Sequence, residues 1–600
     1  MRSVIAVALM TCSLSMAFAQ NSAEPNCAQE PPVTDTRNPG VPWPATDALG
    51  RSVPDVDGGL RPDRFVGIFY FTWSGHDADP TGPHNVTEIL KANPDALKTP
   101  TSPPWGPFGS AIHFWSEPLF GYYLESDPWV LRRHASLLVD AGVDTLIFDA
   151  TNAYTYPDVY MKLCEVFAQI RSEGGRTPQI AFMVNTEAGK TAQQLYDDLY
   201  KPGLYRDLWF HWRGKPLMLC NPAKASDELK AFFTLRTAHW PFKLVNTPYA
   251  WHWEATYPQP YGYTDDPDVP EQVNVSVAQN LRQSDGKVTD MSSGEARGRS
   301  FHDGALDRSS GAVNWGHNAQ EQWKRALELD PPFVMVTGWN EWVAGRWESE
   351  GKPVVFVDQF DQEFSRDIEM MKGGHGDNYY YQLVANVRQY KGVPALPKAS
   401  PARTIDLAGP FDQWADVGPE FRDPQGETLP RDFPGVSPSV HYTNTTGRNE
   451  LLAMKVARDE RNLYFYVQTQ APITSHTGRN WMLLLLDVDS NPATGWEGYD
   501  YIVNLDVPGP DVTTLQRNVG GWKWEQAAEL SYRLEGNQMH VAIPLEALGL
   551  KGASDVSVNF KWADNVWPDA SGAPGDIMDF YLSGDVAPQG RFMYRYTTGK

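Results

Sequence analysis

The chain has 600 residues, a formal net charge of −23, a sequence pI near 5.0, and 22 Trp, 26 Tyr and 26 Phe. That length exceeds one ordinary hydrophobic core and predicts a few domains. The acidity, with no run of Lys or Arg, argues against nucleic acid and anionic membranes as partners and favours a neutral or weakly charged ligand.

The first element is a targeting segment. Arg2 precedes an apolar run from Val4 to Ala19 that closes on Ala17-Phe18-Ala19. Such a run is too short to span a bilayer and ends on a small-x-small cleavage signal, so residues 1–19 are expected to be a signal peptide and the mature protein secreted or periplasmic. Lipidation at Cys12 is the rival expectation, but Thr11 before it and the apolar run behind it fit poorly. No later stretch approaches the roughly 20 apolar residues of a membrane helix. Cys27, Cys164 and Cys220 are odd in number and scattered, which argues against a disulfide framework.

After an N-terminal extension over residues 20–60, short apolar runs alternate with helical patterns over residues 61–393, the signature of a parallel sheet with crossover helices. The α/β class and a (β/α)8 barrel follow. Its expected strands are Phe65–Phe71, Thr145–Asp149, Gln179–Asn185, Pro216–Cys220, Lys243–Pro248, Val273–Val277 and Phe333–Thr337, with Val354–Val357 as a weaker eighth. One helix is expected to start at Ser126-Asp127-Pro128 and stop at Gly142, and another to run from Tyr379 to Tyr390 before Gly392. Residues 394–402, rich in Pro, Ala, Lys and Ser, read as a linker. From residue 403 to 600 short alternating strands such as Asn462–Gln468, Met482–Asp487, Tyr501–Leu505, Met539–Ile543 and Val556–Trp562 predict an antiparallel β-sandwich.

Reactive groups of parallel barrels sit on loops after the strand C-termini. After the first strand come Trp73, His76 and a long aromatic insertion containing His113, Trp115 and Glu117, a candidate wall of a binding cleft with core packing as the alternative. Asp149 and Asn152 follow the second strand, Glu187 the third, Glu254 the fifth and Glu341 the seventh. Glycosidic cleavage needs one carboxyl to protonate the leaving oxygen and another to serve as base or nucleophile. Glu341, Asp149 and Glu254 are therefore the catalytic candidates. Trp73, His113, Trp115, Glu117, Asn152, Glu187, Trp339, Asn340 and Trp342 are the candidates for binding substrate. His76, His84, His113 and His252 show no metal-site spacing, and Gly-x-Ser-x-Gly, phosphate-loop and dinucleotide motifs are absent.

Glu341 lies in Thr337-Gly338-Trp339-Asn340-Glu341-Trp342. Here the barrel resembles the glycoside hydrolase family 99-like group, whose endo-α-mannosidase members carry a Trp-Asn-Glu-Trp-like motif. Tyr122-Tyr123, Asp140-Ala141-Gly142-Val143-Asp144, Ser365-Arg366-Asp367-Ile368-Glu369 and Asp377-Asn378-Tyr379-Tyr380-Tyr381 look like the same group. The resemblance implies a second glutamate three residues after the first as proton donor, and this chain has Ala344 there. Asp149 or Glu254 would then supply the missing acid, with Glu348 and Glu350 as downstream alternatives.

In the C-terminal region Leu483 to Pro492, Thr494-Gly495-Trp496 and Tyr499-Asp500-Tyr501 resemble family 9-like carbohydrate-binding sandwiches. Asp487, Asp489 and Asn491 alternate oxygen ligands as calcium loops do, so a structural calcium competes there with an ordinary turn. Trp522, Trp524, Trp562 and Trp567 could form a sugar platform or pack a core. No other cofactor is required, and oligomeric state stays open. The leading expectation is an exported glycoside hydrolase acting on a polysaccharide or complex glycan. A non-catalytic glycan-binding protein and a polysaccharide lyase remain the alternatives.

Overall fold

A computed structural model describes residues 37–56, 59–99, 104–240, 247–349, 352–553, 555–567 and 574–599. The expected signal peptide, Cys12 and Cys27 lie outside these residues, as do Glu350 and most of the expected strand Lys243–Pro248. Among the described residues no helix is long and apolar enough to cross a membrane.

Among the described residues eight parallel strands form the barrel: β1 (Phe65–Tyr70), β2 (Thr145–Ala150), β3 (Gln179–Val184), β4 (Lys215–Leu219), β5 (Thr234–His239), β6 (Ala250–His252), β7 (Gln272–Ser276) and β8 (Phe333–Thr337). The hydrogen-bonded order runs from β7 through β8 and β1 to β6. The seam between β6 and β7 is closed by a side chain: the Gln272 amide donates to His252 O at 2.9 Å and accepts from His252 N at 2.9 Å, imitating a strand partner.

One expected strand is corrected, and another lies mostly outside the described residues. Val355–Phe356 pairs antiparallel with Arg346–Trp347 in a separate ribbon outside the barrel. Of Lys243–Pro248, only Thr247 and Pro248 are described and neither lies in a strand, while the flanking strands β5 and β6 were not expected. The sequence Thr-Leu-Arg-Thr-Ala-His of β5 hides its strand character because Arg236 is buried there, held by Glu271 at 2.7 Å. Glu254 thus follows the sixth strand and Glu341 the eighth.

Period-two alternation sorts the strand residues into two layers. Phe69, Ile147, Met183, Leu219, Trp251, Phe333 and Met335 fill the barrel interior. Ile68, Leu146, Phe182, Met218, Val275 and Val334 face the surrounding elements. Gly67 leaves room for this interior, since a Cβ there would stand 2.6 Å from Phe333 Cζ. Helix Pro128–Asp140 is capped by Asp127, whose carboxylate accepts from Trp129 N at 3.0 Å, and helix Asn378–Lys391 ends at Gly392. Both match the sequence expectation within a residue or two.

The C-terminal region is all antiparallel. The twelve-residue strand Trp524–Glu535 pairs with Gln538–Pro544 at one end and Val512–Asn518 at the other, carrying the sheet from one layer into the next around a shared core. This domain is fused to the barrel rather than tethered. Val436, Tyr581 and Phe592 belong to the same apolar cluster as the barrel helices. Arg591 meets Asp377 at 2.6 Å, and Tyr581 donates to the same carboxylate at 3.0 Å. Arg591 and Asp377 are both buried, so Arg591→Met should cost about 3–5 kcal/mol by stranding the carboxylate, read as a lower urea midpoint.

Candidate active site

The C-terminal ends of the barrel strands gather an acid-rich cluster around one cation, Arg366. Arg366 is 1% exposed; its guanidinium lies 3.0 Å from Glu341 Oε2, 3.6 Å from Glu254 Oε2 and 4.7 Å over the Trp253 ring. Its backbone N donates to Gln359 Oε1 at 3.0 Å, and Gln359 Nε2 donates to both Glu341 Oε2 (2.9 Å) and Asp367 Oδ2 (3.0 Å). Asp367 Oδ1 in turn accepts from Glu341 N at 2.9 Å, so the glutamate is fixed through main chain and side chain alike.

Several carboxyls share few counter-charges, and burial disfavours the charged forms. The Glu341 carboxyl is pushed up to about 8, first by burial and then by Asp367 and Asp358 against the pull of Arg366. Burial, then Asp358, raises Glu254 to about 7, against Arg366 and a hydrogen bond from Asn280 N. Burial also raises Asp149, whose Oδ1 accepts from Thr151 N at 2.9 Å, and Asp358 adds to it. Arg366 stays cationic because Glu341 and Glu254 outweigh the burial that works against its charge.

Accessibility separates these groups. The Glu341 side chain is 15% exposed, Asp149 is 8% exposed and Glu254 is wholly buried. Glu254 therefore acts on Arg366 from beneath and has no surface to offer a ligand. Asp358 is exposed, and its charge acts on Asp149, Glu254 and Glu341.

Trp73 is 44% exposed on the loop after β1, where Thr72 Oγ1 donates to Asp149 O at 3.4 Å. The C-terminal domain braces this loop: Asp77 N donates to Val436 O at 2.6 Å and Ser437 Oγ to Gly82 O at 2.9 Å. Asn152 is exposed beyond β2.

Other expected binding residues are corrected to packing roles. Trp115 and Trp342 stack at 4.3 Å and are both buried, with Trp115 Nε1 donating to Glu341 O at 3.2 Å. Trp339 is buried against His134. Asn340 clamps the end of β1 by accepting from Phe71 N (2.9 Å) and donating to Phe71 O (3.1 Å). His113 is 1% exposed, packs against Trp105 and Phe356, and is pulled down to about 3 by burial. Glu117 pairs with Lys372 at 2.9 Å, and Glu187 with Lys190 at 2.9 Å on the surface, so neither joins the cluster. Ala344 is buried, its N–H donating to His113 O at 2.7 Å, and Glu348 is engaged by Arg346 at 3.3 Å.

Arg366, Gln359 and Asp358 escape a search confined to strand ends because they arrive on the long connection after β8. In the C-terminal domain carboxylate oxygens of Asp487, Asp489 and Asp500 lie within 4.8 Å of one another and could hold a cation, while Asn491 Oδ1 instead accepts from Ala493 N at 3.1 Å in a turn.

No family model matches the chain, and no curated protein matches it. Solved structures do. The likeness is to glycoside hydrolase family 99. Two structures of the GH99 endo-α-mannosidase from Bacteroides thetaiotaomicron, one in complex with bis-tris-propane, are each 14% identical to this chain, with TM-scores of 0.32 and 0.31. Each comparison covers 55% of this chain and 97% of the mannosidase. The barrel assignment itself rests on the strand order of this chain.

The raised carboxyls have a consequence for stability. Burial lifts Glu125, Glu254 and Glu363 from 4.5 to about 7 and Asp140 from 3.8 to about 7. The folded chain holds protons that the unfolded chain releases, so stability is greatest below the unfolded values and falls as pH climbs through about 7. The urea midpoint should be higher near about pH 5 than near about pH 8.

Proposed function

We propose that this protein is an exported glycoside hydrolase that cleaves glycosidic bonds in a polysaccharide or complex glycan at the mouth of its barrel. The observation that carries this reading is Glu341: a partly accessible carboxyl held by Arg366, Gln359 and Asp367 and pushed up to about 8. A carboxyl that keeps its proton near neutral pH can deliver it to a leaving oxygen. Asp149 and the exposed Asp358 supply the second carboxylate, as base or nucleophile at the anomeric carbon. Trp73 offers the stacking face.

An eliminating lyase needs a base near Asp149, and Tyr156 is the neighbouring phenol. Burial, then Asp149, pushes it up to about 12, which leaves it a poor proton acceptor near neutral pH. This favours hydrolysis.

The test is release of reducing ends from a panel of plant, fungal, algal and bacterial glycans. Cleavage of at least one glycan is expected, and measurable binding without cleavage would instead make the protein a glycan-binding module. On the cleaved glycan, Trp73→Ala should raise KM about threefold to tenfold with kcat nearly unchanged, the loss of one stacking contact.

A further inference from the structure

A second group of acids lies outside the barrel mouth, where the sandwich meets helix Pro128–Asp140. Asp423 follows strand Glu420–Arg422, Glu427 lies in the connection beyond it, and Asp585 opens strand Asp585–Ala587. One carboxylate oxygen from each lies within 4.8 Å of the others. Asp423 is 8% exposed, yet its Oδ2 has no hydrogen-bond partner, and neither has the buried Oε1 of Glu427.

The surrounding groups give these bare oxygens no hydrogen bond, and the nearby cations Arg133 and Lys561 donate to backbone carbonyls instead. Glu450 nearby is another carboxylate, with its oxygens accepting from the N–H groups of Gly426, Glu427 and Thr428. Asp585 accepts from Leu451 N at 2.6 Å and Val586 N at 3.0 Å. The buried Lys561 amine donates to Pro588 O, and the Arg133 guanidinium sits 3.3 Å over the Trp129 ring while donating to Tyr581 O at 3.1 Å and Glu427 O at 3.4 Å. Buried bare oxygens facing one another are costly unless a positive charge stands between them.

We propose that Asp423, Glu427 and Asp585 form a site for one calcium ion that fastens the sandwich to the barrel. An all-oxygen donor set selects a hard cation over zinc or copper, and three carboxylates that can each bind through two oxygens suit calcium's six to eight ligands better than magnesium's strict octahedron. Asp140 and Ser136, whose buried hydroxyl lacks a partner, line the same cleft of about 400 Å³ as Asp423 and Glu427. The site thus lies against the barrel helix that carries them.

The test uses the full chain stripped with EDTA, followed by thermal unfolding with calcium or magnesium added. Calcium is expected to raise Tm by a few degrees in the wild type and in Asp489→Asn, which alters the separate Asp487 group, but not in Asp423→Asn/Glu427→Gln. In EDTA that double variant should be at least as stable as the wild type, because two repelling charges are gone. No calcium-dependent shift in the wild type, an equal shift with magnesium, or a shift kept by the double variant would overturn the proposal. Should the double variant fail to fold, equilibrium dialysis of Asp423→Asn decides: the wild type should bind one more calcium, and equal binding overturns the site.

Discussion

Glu341→Gln is expected to lower kcat on a cleaved glycan by about 10²–10⁴-fold while leaving the fold intact, the range associated with loss of a positioned general acid. The amide can keep the geometry, because Gln359 Nε2 and Arg366 NH2 both donate to one oxygen of Glu341, and an amide oxygen accepts equally well. It cannot give up a proton to a leaving alkoxide. The wild-type rate should decline as pH rises past about 8, where Glu341 loses its proton, and the residual rate of the variant should lack that decline. Steady-state rates across pH, with a melting curve for each protein, check both statements. A variant as active as the wild type would remove Glu341 from the chemistry.

The second large effect concerns Arg366→Met. The guanidinium is the cation placed between Glu341 and Glu254, and all three groups are largely or wholly buried. Removing one partner of such a pair strands charge in a medium that solvates it poorly, at about 3–5 kcal/mol. The deficit should be largest near about pH 8 and smaller near about pH 5, because both carboxyls can escape it by binding protons. Adding Glu254→Gln should recover part of the loss, since that carboxyl is buried and its Oε2 has no hydrogen bond. Loss of Arg366 also lets the Glu341 carboxyl rise further, so any surviving activity should persist to higher pH. Urea unfolding at two pH values reads the stability claim, and an unchanged midpoint at both would contradict it.

Much of the barrel was legible because its strands are apolar runs bounded by turn residues, and β1, β2, β3, β4, β7 and β8 lie where the sequence predicts them. The misses have physical causes. β5 carries Arg236, neutralised by Glu271 from a distant stretch, and β6 is only three residues long, its outer partner being the Gln272 side chain. Neither feature leaves a periodic trace. Val354–Val357 has strand composition but pairs in a local ribbon, and composition does not name a partner.

Glu341 and Asp149 stand just after strands, the places where the sequence reading looks for reactive groups. The organising charge of the site was not legible, because Arg366 comes from a loop whose course depends on tertiary folding. Trp115, Trp339 and Trp342 mark the opposite error: aromatic residues beside a carboxylate read equally as sugar platforms or as packing, and burial decided for packing.

Hydrolysis adds the oxygen of water to the anomeric carbon, elimination does not, and binding yields no product. Cleavage of a responsive glycan in ¹⁸O-labelled water, read by mass spectrometry of the fragments, separates the three. One labelled oxygen is expected at each new reducing end, lost together with cleavage in Glu341→Gln. Unlabelled, unsaturated ends, or label and rate unchanged in the variant, would contradict hydrolysis through Glu341.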